Sequence, residues 1–352
     1  MKQFNGMSQT GDLKEALKGL VNPSLIILIS NEQQFDGHVA ELEGLFPEVP
    51  SIGCVGAFYE KKAFDKGVGV VAFCEGVTVA TNVLEQVSVM PVKYIKRMKQ
   101  DLQKVQASSN NTVCIDFCTG NDACAVTTMY SLLDKQNIQL LGGTAGTSKV
   151  SVNGQIYEDA LVYALVKNQG GKVKVYRENI YAPSEDNCRF VASKTDRSKY
   201  MIGALNGQPA KKVYQDTLHI KESDIVSQTF QNPIGKIYGK DICIISIKEV
   251  AGDALVCYRQ VNDSDVLVLL ELLDYKQVAK ETVQMIKKDF SHISGVFAVN
   301  CILRYLLFVQ NHNVDDYLSI MGGLNNFAGF VGNGEHFNGQ FVNQSMVCAV
   351  FE

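Results

Sequence analysis

Proline is scarce, with 7 residues in 352, and histidine scarcer still, with five. His38, His219, His292, His312 and His336 include no pair four apart, the spacing that places two ligands on one helix face, so the pattern speaks against a metalloenzyme. The ten cysteines contain no C-x-x-C, and Cys114 and Cys118 are separated by three residues within a strand-like run. Most of the others sit in similar runs, such as Val70 to Cys74 and Ile242 to Ile245, and read as reduced, buried thiols rather than as a disulfide framework or metal site. An excess of basic charge is also missing: 33 Lys and Arg against 37 Asp and Glu give a net charge of −4, which leaves nothing to attract a nucleic acid. No apolar run reaches the ~20 residues that span a bilayer. The most apolar stretch, Ile293 to Val309, is broken by Asn300 and Arg304 and reads as core, so no membrane insertion is expected. Met1 to Gly6 lacks the charged start and apolar stretch of a secretory signal, and a cytoplasmic protein is the expectation. No P-loop, G-x-G-x-x-G or G-x-S-x-G is present, so nucleotide hydrolysis, Rossmann binding and an α/β-hydrolase elbow lack their usual support.

What is present is core material. Hydrophobic residues make up 46% of the chain and charged ones 20%, with 17 Phe and 14 Tyr, which excludes disorder. A chain of 352 residues exceeds what one core usually serves, and two domains or two repeated halves follow. Leu13, Ala16, Leu17 and Leu20 recur at helical spacing after Thr10 and Asp12, either of which can cap a helix. Leu25 to Ile29 is a continuous apolar run, as in a strand buried on both faces, and Val39, Leu42 and Phe46 line a helix after it. Val68 to Cys74 and Val77 to Leu84, joined through Glu75-Gly76, have the pattern of a hairpin. Pro91 opens a helix with Ile95, Met98, Leu102 and Val105 on one face. A strand at Val113 to Phe117, a helix at Ala123 to Leu133 and a glycine-rich turn at Leu141 to Gly146 lead into a hairpin at Asn153-Gly154.

The second half repeats this order. Asn153 to Val166 can be laid on Asn338 to Phe351 without a gap, with five of fourteen positions identical. Each segment also follows a glycine pair, Gly142-Gly143 and Gly322-Gly323, across a loop five residues longer in the second copy. Polar breaks at Lys167 to Lys174 and Ala182 to Asn187 place a boundary near residue 180. The fold class expected is therefore mixed α/β: two pseudo-repeated halves, 1–180 and 181–352, with mixed or antiparallel sheets, hairpins and packing helices.

Two segments could carry chemistry. A strand ending at Asn300 and a helix starting at Cys301 would put Cys301 and Arg304 on one face, where free backbone N–H groups and a guanidinium suit a carboxylate or phosphate. The same place would lower the Cys301 thiol pKa and make it reactive; the alternative is a buried Cys and an Arg paired to an acid. Gly329 to His336 is glycine-rich, with Gly329 and Gly334 allowing close backbone approach and Glu335 offering an acceptor to an ammonium; punctuation of turns is the alternative.

Taken in order, these blocks resemble the FIST family, a bacterial sensory module of an N-terminal and a C-terminal region, over almost the whole chain. Phe46-Pro47 with Ile52-Gly53-Cys54, then Gly142 to Gly146, Leu205 to Ala210 with Tyr214, Asn232 to Gly235, Asn300-Cys301 with Arg304, Gly329-Phe330 with Gly334-Glu335, and Asn343 with Met346 carry the resemblance. It differs at Val55-Gly56 and at Val331 to Asn333, where the family has hydroxyl or aromatic residues. The resemblance implies a non-enzymatic sensor of a small ligand, amino acids being proposed, that signals through a partner such as a chemotaxis receptor or kinase. It also implies a ligand site at Cys301, Arg304, Gly329, Gly334, Glu335 and Asn343, with glycine turns at Gly53, Cys54, Gly142 and Gly143 in the N-terminal region, and no cofactor. Some relatives bind haem and sense nitric oxide, which makes a haem gas sensor one alternative, with His336 beside Glu335 as the named axial candidate. A Cys301-dependent enzyme or redox switch is the other.

Overall fold

In the computed structural model, residues 1–64, 66–120, 122–186, 188–239 and 241–352 are described; Asn187, the end of the second polar break, lies outside them. Leu25–Ser30 is a strand buried along its whole length, as its unbroken apolar run requires. Leu25, Ile27 and Ile29 face a core common to three sheets, while Ile26 and Leu28 meet Leu13, Phe35, Val39 and Leu42 of the helices outside. This two-faced burial sets the plan of the fold: strands inside, one layer of helices outside each sheet.

That plan is executed three times. The first repeat runs β1 (Gln3–Ser8), α1 (Leu13–Ala16), β2 (Leu25–Ser30), α2 (Phe35–Leu45), β3 (Ser51–Val55), a hairpin of β4 (Ala57–Tyr59) and β5 (Ala63–Phe64), and β6 (Val68–Phe73). Asp12 caps α1 by accepting from Lys14 N and Glu15 N at 2.9 and 3.2 Å. The second repeat has the same order: β7 (Val77–Glu85), α3 (Ile95–Lys104), β8 (Thr112–Cys118), α4 (Asp122–Leu133), β9 (Gln139–Thr144), β10 (Val150–Val152) with β11 (Gln155–Tyr157), and β12 (Ala160–Asn168). The third begins with β13 (Val173–Asn179) and is then interrupted. The interruption comprises β14 (Tyr181–Pro183), β15 (Arg189–Asp196), β16 (Met201–Leu205), β17 (Gln208–Pro209), α5 (Ala210–Leu218), α6 (Ile225–Gln228), β18 (Ile234–Tyr238), β19 (Asp241–Ile245), β20 (Ile247–Ala251), β21 (Ala254–Cys257) and β22 (Val266–Leu272). After α7 (Tyr275–Asp289) the repeat resumes with β23 (Gly295–Cys301), α8 (Ile302–Gln310), α9 (Val314–Met321), β24 (Phe327–Gly332), β25 (Glu335–Phe337), β26 (Gln340–Val342) and β27 (Ser345–Phe351).

The chain thus forms two compact units, residues 1–178 with 279–352, and residues 179–278. The expected division into 1–180 and 181–352 shares with this only its first cut, because the chain returns to the first unit at Ala279. The inserted unit is an antiparallel sheet in the order β19-β18-β22-β15-β16-β21-β20, with β14 beside β22 and β17 beside β16. Its own core is formed by Phe190, Ile202, Leu205, Tyr214, Ile225, Leu255 and Leu267 with their neighbours.

In the first unit each sheet follows one order: β1-β6-β2-β3, β7-β12-β8-β9 and β13-β27-β23-β24. The pairs β2–β3, β8–β9 and β23–β24 are parallel, and each is joined by the helical crossover between its strands. Every sheet is then completed by a hairpin from another repeat: β10–β11 adds to β3, β25–β26 to β9, and β4–β5 to β24. This cyclic exchange ties the repeats together, and so do the aromatic rings of the shared core. Phe117 of the second repeat meets Phe330 of the third edge-on at 5.1 Å, and Phe73 of the first meets Phe351 at 4.8 Å, contacts that contribute about 0.5–1.5 kcal/mol each beyond burial.

The matched segments 153–166 and 338–351 occupy equivalent places in the second and third repeats, and both Asn-Gly hairpins form as expected. Three shorter repeats, rather than two halves, make up the first unit. The equivalent of Gly142-Gly143 is Gly329-Phe330, each opposite an exchanged hairpin, whereas Gly322-Gly323 belongs to a turn after α9. The hairpin expected between 68–74 and 77–84 does not form. Both edges of β6 are already taken by β1 and β2, so the chain crosses at Gly76 to begin another sheet, where β7 pairs with β12.

Candidate functional site

Helix-facing side chains at the carboxyl ends of the parallel pairs are the places where open α/β sheets usually bind ligands. Each sheet of the first unit sets a buried polar group there. In the first, Ser30 Oγ lies 2.7 Å from His38 Nδ1, and His38 Nε2 lies 2.8 Å from the Gly11 carbonyl. That carbonyl can only accept, so Nε2 donates to it.

In the second, His336 Nδ1 lies 2.6 Å from Asp116 Oδ2, and its Nε2 is 3.6 Å from Asp122 Oδ1 at the start of α4. Thr144 Oγ1 donates to the other Asp122 oxygen at 2.8 Å. Burial disfavours the charge on the imidazole, but Asp116 and then Asp122 outweigh it and hold the ring protonated, with its pKa pushed up to about 10. Burial pushes the Asp116 carboxyl up; at Asp122 burial acts in the same direction, but His336, Cys118 and Thr144 overcome it and leave the carboxyl below its ordinary value.

The third sheet places Arg304, one turn into α8, with no exposed surface. Its Nη2 pairs with Glu178 Oε1, and its Nη1 reaches the Glu178 carbonyl at 3.4 Å. Tyr317 OH of α9 donates to the same carboxylate oxygen at 3.1 Å. The guanidinium also stacks over Tyr317 and Phe308, 4.9 and 5.2 Å from their ring centres. Beside this cluster lies a recess of about 210 Å³ of open space, lined by Tyr59, Asn300, Phe308 and Tyr317 and edged by half-buried Ala63, Tyr305 and Val314. As it stands, its interior fits about one water molecule. Tyr59 OH, Asn300 Oδ1, Glu178 Oε2 and Arg304 Nε are buried without a hydrogen-bond partner among the described residues. Buried polar atoms are normally satisfied, so the two orphans in the lining, Tyr59 OH and Asn300 Oδ1, with the two of the Glu178–Arg304 pair that shares Tyr317 with the recess, make this a candidate site.

Glu335, on β25 of the second sheet, and Cys301, at the end of β23 of the third, meet through a hydrogen bond between thiol and carboxyl. Glu335 Oε1 accepts from Ser345 N at 2.8 Å and from Ser345 Oγ at 2.6 Å, and its other oxygen has no hydrogen-bond partner among the described residues. Burial pushes its pKa up to about 7, against the hydrogen bonds from Ser345 and Cys301. Asn343 is buried as well, with an unpartnered Oδ1 among the described residues.

Cys301 is the N-cap of α8, one residue from its expected role, but the expected activation of its thiol is overturned. Burial, followed by the nearby Glu335 carboxylate, raises its pKa well above the ordinary value, and this outweighs what the helix N-terminus offers. Gly53 and Cys54 lie inside β3, and Gly142 and Gly143 inside β9, so they are strand residues and not turns. Gly53, Gly142 and Gly329 hold one equivalent position, opposite Ser151, His336 and Tyr59 of the exchanged hairpins. A Cβ at Gly142 would stand 2.2 Å from the Asp116 carbonyl oxygen, and one at Gly329 1.7 Å from that of Ala298. Gly334 accepts from Thr144 N at 3.0 Å through its carbonyl.

Sequence reasoning missed Glu178, Tyr317, Tyr59 and the Asp116–His336–Asp122 chain. The alternation of Lys174, Tyr176 and Glu178 along β13 was the available signal, since it sets an acid on the face that also carries Tyr176.

The arrangement is that of a mixed α/β binding protein with enclosed polar positions under its crossover helices. Residues 24–208 match the family model of the FIST N domain and residues 210–338 that of the FIST C domain. The chain belongs to the FIST family, whose domains are associated with sensory signal transduction and small-ligand binding. Comparison with curated proteins gave no significant match. No helix among the described residues is long and apolar enough to cross a membrane.

Proposed function

We propose that this chain is a non-enzymatic, cytoplasmic sensor whose ligand is a small zwitterion of the amino-acid class, received under α8 and α9 of the third sheet and reported to a separate signalling protein such as a chemotaxis receptor or kinase. One observation carries the reading: a recess whose lining holds the unpartnered Tyr59 and Asn300 atoms and shares Tyr317 and Phe308 with the incompletely satisfied Glu178–Arg304 pair. Glu178 Oε2 and Asn300 Oδ1 are acceptors and call for N–H donors, which an ammonium supplies, and the rings of Tyr59 and Tyr317 suit a cation. Arg304 offers the complementary charge for an acid. A ligand larger than water requires α8 and α9 to yield, and that motion is a means of signalling.

The enzyme and haem alternatives draw no support from the residues named for them. Cys301 is held as a thiol, and His336 is held protonated between two aspartates, where its lone pair is committed to a proton rather than to iron. The test is a thermal-shift screen of amino acids, since a ligand that binds only the folded state stabilises it by about 2.7 kcal/mol at a hundredfold excess over Kd. At least one should raise the midpoint, and Asn300→Ala should weaken that shift. Silence across the whole set would remove this reading.

A further inference from the structure

The carboxylate bound by Arg304 is supplied by the chain itself, from Glu178. We propose that Glu178 is a built-in competitor, an autoinhibitory carboxylate that keeps the acid-binding position of Arg304 filled until the carboxylate of an incoming ligand replaces it. This rests on the reading that the recess receives a small ligand.

Three features support exchange over a permanent structural pair. An Arg fork binds a carboxylate best through both oxygens, yet Arg304 and Tyr317 converge on Oε1 alone. Glu178 Oε2 and Arg304 Nε are left without partners among the described residues. The pair is therefore incompletely satisfied although fully buried. Next, a buried guanidinium cannot be left bare without a large penalty, so the cheapest way to release Glu178 is to substitute another carboxylate for it. The recess lies alongside: Tyr317 is shared by the pair and the lining, and half-buried Ala63, Tyr305 and Val314 form its edge. Finally, Glu178 is the last residue of the first unit, and the inserted unit begins at the next position. Arg304 grips both its side chain and its carbonyl, so exchange frees the strand end at which the chain leaves the first unit.

Glu178→Gln keeps the shape and removes the competing charge. Titration with acetate, against equal chloride, should show binding at least about tenfold tighter than in the wild type, and Arg304→Met added to the same variant should abolish it. Equal or weaker acetate binding in Glu178→Gln overturns the proposal. Should that variant fail to fold, Tyr317→Phe removes one of the two donors on Glu178 Oε1 while leaving the ion pair; it should tighten acetate binding in the same direction by a smaller factor, and an unchanged affinity overturns the proposal. In the wild type, high acetate should speed hydrogen exchange over residues 173–183, and equal exchange in acetate and chloride counts against release of the strand end. The two readings fail separately. Wild-type silence toward all amino acids, with tight acetate binding by Glu178→Gln, removes the zwitterion and keeps the competitor; amino-acid binding of equal strength in both proteins does the reverse.

Discussion

Glu335 is a buried carboxyl whose ionisation the fold resists, and replacing it with Gln should make the protein more stable at neutral pH. Its pKa rises from 4.5 to about 7 on folding, through burial first and in spite of the Ser345 and Cys301 hydrogen bonds. A group raised in this way contributes stability that is complete below its unfolded pKa and lost as pH rises through the folded one. At about 1.36 kcal/mol per pKa unit, that loss is roughly 3 kcal/mol between about pH 4 and pH 8. Glu335→Gln retains an Oε1 that can accept from Ser345 N and Oγ, and it has no charge to lose. The stability of the variant relative to the wild type should therefore climb by roughly 3 kcal/mol over that range, read from urea unfolding followed by circular dichroism. Subtracting the two curves cancels the titration of every other group. Parallel curves would show that Glu335 is solvated or paired in solution, and the argument for an enclosed polar site at these strand ends would fall with it.

Two further outcomes test the other sites. His336→Gln leaves Asp116 and Asp122 without their cation and should cost about 3–5 kcal/mol at neutral pH; because the wild-type contribution is complete below about pH 6.5 and lost as pH rises through about 10, the gap measured by denaturation should close in strong alkali, and a gap independent of pH would contradict the ion pair. In native protein treated with iodoacetamide, exposed Cys124 should be labelled first and Cys301 only after unfolding, as followed by peptide mass spectrometry, whereas labelling of Cys301 as fast as Cys124 would contradict its burial.

The sequence is explicit where burial is local and silent where it is not. Leu25 to Ile29 announces a doubly buried strand, and Met98, Leu102 and Val105 announce one helix face, because each pattern needs only its own neighbours. The third repeat is hidden for two physical reasons. A hundred-residue unit, 179–278, separates β13 from the rest of its repeat, and β4–β5 turns without the Asn-Gly that marks the hairpins of the other two repeats. The same limit applies to chemistry. Placing Cys301 at a helix N-terminus was a local inference and nearly right, but the thiol pKa depends on desolvation, which comes from strands and helices far off in the chain. The partner of Arg304 lies 126 residues away on β13, and no spacing rule could connect them.

Gly53, Gly142 and Gly329 stood out in the sequence as members of separate motifs, and the structure gives them one physical role. Each sits on the second strand of a parallel pair, opposite a hairpin residue donated by another repeat, where a Cβ would meet a backbone or side-chain oxygen of that site. At Gly53 the missing side chain leaves room for Ser151 Oγ of the hairpin, and at Gly142 and Gly329 for Asp116 and Ala298 of the neighbouring parallel strand, while the hairpin residue opposite differs from sheet to sheet. Opposite Gly142 the chain supplies a cation, His336, and brackets it with two carboxylates, so that position is occupied from within. Opposite Gly329 it supplies Tyr59, whose hydroxyl has no partner among the described residues and whose ring lines the recess beside Asn300 and Tyr317. His336 Nε2, Asp116 Oδ1 and Asp122 Oδ1 also have no hydrogen-bond partner among the described residues, so what sets the third position apart is that its unpartnered Tyr59 opens onto a recess while the second is filled by an ion-paired cation, and that is why the third is the place to look for a ligand.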